Sequence, residues 1–253
     1  GLAHLFVAIK AAQLAPPHAA LTGFVEQAHA RGIKVHALAG DPAWVRPGKH
    51  DNALRYLESV LAFNRATSDS GRLDALHLDI EPQALREWDD SDAQEDLLEG
   101  LVSVVQKLGS AADGQIPLFA DLPVWLAKRD GVEPPVLPKL ARSLRGVVFM
   151  AYGADHERLA GQLRKAARQI APTGRPWWIG ISAAPADRCA GETPGQFENA
   201  LRKLTLELGE TGGVLGVAIH DRDRYQALIL GKAPGTAACR AATDSANPRD
   251  NAP

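Results

Sequence analysis

The chain has 253 residues, 45% of them hydrophobic and 23% charged, values ordinary for a globular protein able to bury a sizeable core. A formal charge of -2 without any Lys/Arg-dense stripe argues against a nucleic-acid-binding protein, and no run of about eighteen apolar residues is present to span a membrane. One domain of the (β/α)-barrel class fits this length.

Taken in chain order, short apolar runs alternate with helical patterns, the mark of parallel βαβ units. The start, "GLAHLFVAIK", is no signal peptide, having neither a basic n-region nor a cleavage site. A chain that begins without Met is compatible with a removed leader, and a secreted or periplasmic setting is the expectation. A strand is predicted at 4–10, a helix over 18–32, and a second strand at 34–40, "KVHALAG". A helix over 51–66 then leads to the run 75–81, "ALHLDIE". The charged stretch 86–96, "REWDDSDAQED", reads as a solvated loop with Ser91 or Asp92 capping the helix that follows over 95–109. Strands at 116–122 and 147–152, a helix over 156–171, a strand at 177–182, a helix over 196–212 and a strand at 214–220 complete the pattern. Gly32, Gly109 and either Gly209 or Gly212 are placed to end helices in a left-handed turn.

Seven predicted strands suggest a (β/α)8 barrel whose first strand is missing from this chain. A doubly wound sheet is the alternative, but no glycine-rich phosphate loop follows the first strand. The barrel domain is assigned to 1–232 and a C-terminal tail, small, polar and unpatterned, to 233–253. The two cysteines, Cys189 and Cys239, fit no metal-ligand spacing. A disulfide between them would pin the tail to the barrel.

The segment "LDALHLDIEP", 73–82, carries the chemistry. Strand alternation puts Leu76, Leu78 and Ile80 on one face and His77, Asp79 and Glu81 on the other. In a barrel the polar row must point inward, and ionised carboxylates are costly to bury unless a site requires them. Pro82 holds Glu81 extended at the C-terminal edge, where barrel active sites form. The bland alternative is a structural ion-pair cluster with Lys10 or an Arg.

This segment resembles the signature of the family 18 glycoside hydrolases, the chitinase-like barrels, which run Asp-x-x-Asp-x-Asp-x-Glu at the end of the fourth strand; only the middle Asp is changed, to His77. With 4–10 taken as the second strand, the motif falls on the fourth, as the family requires. "FMAYG", 149–153, is similar to the family's Met-x-Tyr-Asp on the sixth strand, matching at Met150 and Tyr152 with Gly153 in place of the acid. "HALAG", 36–40, keeps only Gly40 of the third-strand Ser-x-Gly-Gly. His220 stands where the family usually has a Trp floor beneath the reacting sugar, a departure that argues against chitin itself.

The resemblance implies a glycosidase acting on a polysaccharide or oligosaccharide, with Glu81 as general acid and Asp79 as the partner that orients a substrate N-acetyl group. Two carboxylates on one strand face raise each other's pKa, and Glu81 is expected to be the protonated one. Barrels of this family that bind sugar without cleaving it are the alternative, although those typically lack the Glu. Substrate-binding candidates are His77, Met150, Tyr152, His220, Asp121, Trp44 and Trp125. Asp121, at a predicted strand end, is either a second catalytic carboxylate or a loop cap. Trp44 and Trp125 lie in predicted loops, where an indole suits a sugar face, but a Trp beside a strand is more often core. His220 and Asp221 lack a third ligand, so no metal is expected, nor any cofactor. The partner is a carbohydrate, and a monomer is expected.

Overall fold

The computed structural model describes residues 1–128, 135–232 and 234–237. Seven parallel strands form one curled sheet in sequence order: β1 (His4–Ala8), β2 (Lys34–Ala39), β3 (Ala75–Leu78), β4 (Leu118–Pro123), β5 (Gly146–Met150), β6 (Trp177–Ser182) and β7 (Val214–His220). The architecture is a (β/α)-barrel-like fold, and every predicted strand is present. Where two neighbouring strands cover a strand's edges it is fully enclosed, as in β3 and β6. The terminal strands β1 and β7 are half-exposed along most of their length, the expected state of sheet edges that pair on one side only.

Helices cover the outer face: α1 (Ala11–Leu14), α2 (Ala19–His29), α3 (His50–Ala66), α4 (Ser91–Ala112), α5 (Val136–Arg142), α6 (His156–Ile170), α7 (Pro194–Gly209) and α8 (Arg222–Ile229). The long ones, α2, α3, α4, α6 and α7, match the predicted periodic segments. α1, α5 and α8 run for only 4, 7 and 8 residues, too short to show a periodicity of their own. Two helix boundaries differ from expectation. The cap of α4 is Asp90, whose carboxylate accepts from the Asp92 N–H at 2.9 Å, rather than Ser91 or Asp92. Gly109 lies within α4, which continues to a left-handed turn at Asp113; the missing Cβ at Gly109 lets the helix approach Ser143 instead.

Alternation along the strands sorts the two faces. Leu76, Leu78, Val147, Phe149, Trp177, Ile179 and Ile181 belong to the main core under the helices. Ala75, Phe119, Val148 and Trp178 form a separate cluster inside the curl, with Phe6 and Ala218 against it. On β7 the pairing slips between Trp177 and Trp178, and Leu215 becomes an extra, exposed residue. This bulge resets the alternation so that Ala218 faces inward and His220 follows it on the same side.

The described part of the predicted tail, 234–237, runs beside the loop after β6: the Ala190 N–H donates to Ala237 O and the Ala237 N–H to Arg188 O. Cys189 in that loop is disulfide-bonded, while Cys239 and the remainder of the tail lie outside the described residues.

Candidate active site

The interior layer below the mouth is aromatic and imidazole-rich. His4 and His36 contact through Nδ1 and Nε2 at 3.1 Å, and His36 packs on Phe6 and Phe119 with ring centroids 5.0 and 4.9 Å apart. Burial, reinforced by His77, His4 and Lys34, pushes His36 down to about 3, so this imidazole is neutral near pH 7. Neither His4 nor His36 was singled out from the sequence. Their only signal is alternation onto the face that carries His77.

His77 is 0% exposed and so does not line the mouth, as a substrate-binding side chain would. Its ring lies 4.1 Å from that of Phe6 and stacks on Phe119 at 6.2 Å. Its Nε2 sits 3.1 Å from Asp121 Oδ1, but off the line of a hydrogen bond, which makes the contact chiefly electrostatic. The register explains the meeting. His77 pairs with Phe119 and Leu78 with Ala120, so one more step along both strands puts Asp121 beside Asp79, about one strand spacing of 4.8 Å away.

Asp79 lies one residue beyond β3, where its N–H still donates to Ala39 O at 3.0 Å. Its Oδ1 is enclosed and has no partner among the described residues. Burial, followed by the charges of Asp121 and Glu81 and opposed by His77, pushes Asp79 up to about 7. Asp79 is therefore a carboxyl that burial and neighbouring charge hold toward its protonated form near neutrality. Glu81, half-buried two residues further on, accepts from Gln83 Nε2 at 2.5 Å. Pro82 opens the short 3-10 turn that ends the extended segment.

Gly40, at the end of β2, makes this placement possible. A Cβ there would lie 1.6 Å from the Asp79 carbonyl oxygen, so no side chain fits without moving the Asp79 backbone. Gly40→Ala is expected to destabilise the fold by about 2 to 3 kcal/mol. An unchanged urea midpoint would show that the two backbones do not approach this closely.

The strand alternation that carries Val148 inward places Met150 and Tyr152 above it, at the end of β5. Burial first, then Asp121, Asp79, Glu81 and Asp187, raise the Tyr152 phenol, so four carboxylates act on one hydroxyl. Asp187, in the loop after β6, escaped the sequence reading because no motif surrounds it. The Tyr152 ring stacks on His220 at 5.7 Å and 20°. Thus Asp79, Glu81, Asp121, Tyr152 and His220 converge at the C-terminal ends of β3, β4, β5 and β7, the face where barrel sites form.

The tryptophans divide differently. Trp44 is 7% exposed and packs against Tyr56 in the main core, because the short turn Pro42–Val45 folds it inward under α3 and α4. Trp125 is half-buried and lies 5.4 Å from Trp88, which comes from the charged stretch to which the sequence assigned no role. That stretch is not a plain solvated loop: it makes a 3-10 turn, Arg86–Asp89, and Glu87 pairs with Arg46 at 2.5 Å. No group of three or more metal-ligating side chains occurs among the described residues.

No protein-family profile matches the chain, and no curated protein matches it. Solved structures do. A chitinase from Bacteroides thetaiotaomicron superposes with a TM-score of 0.57 at 12% identity, over 92% of this chain and 87% of that one. Fungal beta-1,4-galactanases give 0.55 at 10% identity, over 86% and 75%. The Bacillus megaterium spore cortex-lytic enzyme SleL gives 0.52 at 13% identity, over 90% of this chain and 65% of that one. The chain spans only about half of some other similar structures, such as 48% of Ostrinia furnacalis Group II chitinase catalytic domain 2. At these identities the likeness is one of fold, that of a (β/α)-barrel-like chain.

Proposed function

We propose that the protein is a glycoside hydrolase acting on a polysaccharide or oligosaccharide, with Glu81 as general acid and Asp79 as its partner. The observation that carries this reading is the convergence of both carboxylates with Tyr152 at the C-terminal mouth, on the electrostatic evidence of their joint effect on the Tyr152 phenol. Glu81, at the outer end of the row, takes up the proton that Asp79 holds near neutrality and delivers it to the glycosidic oxygen as that bond breaks. The substrate's own N-acetyl oxygen meanwhile bonds to the anomeric carbon and is later displaced by water, whose proton returns to Glu81. Asp79, poised near neutrality, presents a carboxyl that orients the reacting group, an N-acetyl carbonyl in the substrate-assisted scheme implied by the motif. Tyr152 and His220 offer a flat stacked pair against which a sugar face can rest, in the place where the chitinase-like pattern has an indole. The half-buried Trp125, beside Trp88, provides a second aromatic surface at the same end of the barrel.

The direct test is hydrolysis of a panel of aryl glycosides and polysaccharides by the wild-type protein. Release of reducing ends from at least one member supports the reading. Oligosaccharide binding without any hydrolysis would replace it with a non-catalytic sugar-binding barrel, and neither binding nor hydrolysis would remove both.

A further inference from the structure

The residue in the row that departs from the family pattern, His77, is also the one that touches no solvent. Its Nδ1 has no partner among the described residues, and its Nε2 lies 3.1 Å from the one carboxylate supplied by the neighbouring strand, Asp121. The rings of Phe6 and Phe119 pack against the imidazole, with centroids 4.1 and 6.2 Å away. Asp121 in turn stands beside Asp79 when the β3–β4 register is carried one step further, with its side chain 14% exposed. A half-enclosed carboxylate beside two others would relieve repulsion by turning toward water, unless something fixes it.

We propose that His77 and Asp121 form a positioning pair, in which the buried imidazole fixes the Asp121 carboxylate next to Asp79 and the charge of Asp121 governs the protonation of Asp79. The proposal rests on the reading of Asp79 as the working partner of Glu81, and assigns Asp121 a part other than substrate contact. The charged and titratable groups facing Asp79 are consistent with it: His77 and Glu81 from its own segment, Asp121 from β4 and Tyr152 from the end of β5. Gly40, which follows β2, presents no side chain to Asp79, and His36 of β2 packs against His77 further down. Of the groups that raise the Asp79 carboxyl, the charge of Asp121 ranks next after burial, ahead of Glu81.

The test needs no substrate and so stands apart from the hydrolysis assay. Carboxyl-carbon NMR of protein labelled at aspartate, with Asp79 assigned through Asp79→Asn, follows the Asp79 titration directly. In Asp121→Asn the midpoint is expected to fall by about one pH unit or more. His77→Phe, which keeps a ring in the aromatic layer, removes a group that lowers the Asp79 carboxyl, a direct effect present with or without Asp121. Release of Asp121 is expected to make the midpoint change lower in the wild-type background than in the Asp121→Asn background. A midpoint that stays within a few tenths in Asp121→Asn overturns the proposal, as does a His77→Phe effect that is the same with and without Asp121 in proteins folded by circular dichroism. Because the His77 variants remove a buried side chain, nitrogen NMR of His77 in Asp121→Asn provides a readout that leaves His77 in place. The Nε2 resonance shifts if the pair exists, and an unchanged resonance refutes it.

Discussion

Glu81→Gln is expected to leave the fold intact and to lower turnover by about a hundredfold to ten-thousandfold, the usual cost of losing general acid catalysis. The substitution is nearly isosteric, and the residue is only half-buried, in a short turn rather than inside a strand. The amide oxygen of the introduced glutamine can still accept from Gln83. What the amide cannot do is give a proton to a departing oxygen. The deficit should therefore depend on the leaving group: large for an alkyl or sugar alcohol, small for a nitrophenolate that departs without assistance. Comparing kcat on the two kinds of substrate checks this. Equal rates for variant and wild type on a natural oligosaccharide would move the acid elsewhere.

Asp79→Asn is expected to have the second-largest effect, with opposite signs for activity and stability. The folded protein holds the Asp79 proton more tightly than the unfolded chain does, since the carboxyl moves from 3.8 to about 7. Its contribution to stability is thus fully present below 3.8, and it is lost as pH rises through about 7. Above that range, ionising this enclosed group costs up to about 4 kcal/mol, an upper bound because some solvent reaches it. Asn cannot ionise, so the variant should gain stability over wild type at about pH 8 and gain none at about pH 3. Urea denaturation at both pH values measures it. A loss of stability at about pH 8 that disappears at about pH 3 would reverse the sign and place Asp79 in an ion pair. Activity should fall even as stability rises, because the oxygen that orients the reacting group is replaced and the charge beside Glu81 is gone.

Much of the framework was legible from local patterns. The inner strands appear as short apolar runs because both of their faces are covered, and each long helix appears through a period that only an amphipathic surface helix maintains. The inward row His77, Asp79 and Glu81 follows from period-two alternation alone, since Leu76, Leu78 and Ile80 must face the helices. Gly40 was visible as a retained glycine but not as a close approach, which depends on where β2 ends against the segment after β3.

The alternation of strands and helices and the identity of the polar row can be read from the residues alone, because both depend on side-chain periodicity within one segment. Which side chains meet depends instead on how distant segments pack. Trp44 and Trp125 are the same residue type in similar loops, yet one turns inward onto Tyr56 and the other stays half-buried beside Trp88. His77 and Asp121 are far apart in the chain and come within 3.1 Å only because β3 and β4 pair in one register. That register also decides that Asp79, flanked by two carboxylates and removed from water, is the group raised toward neutrality. Periodicity assigns each residue to a face, whereas proximity, burial and charge are sums over neighbours from other strands, which no single segment specifies.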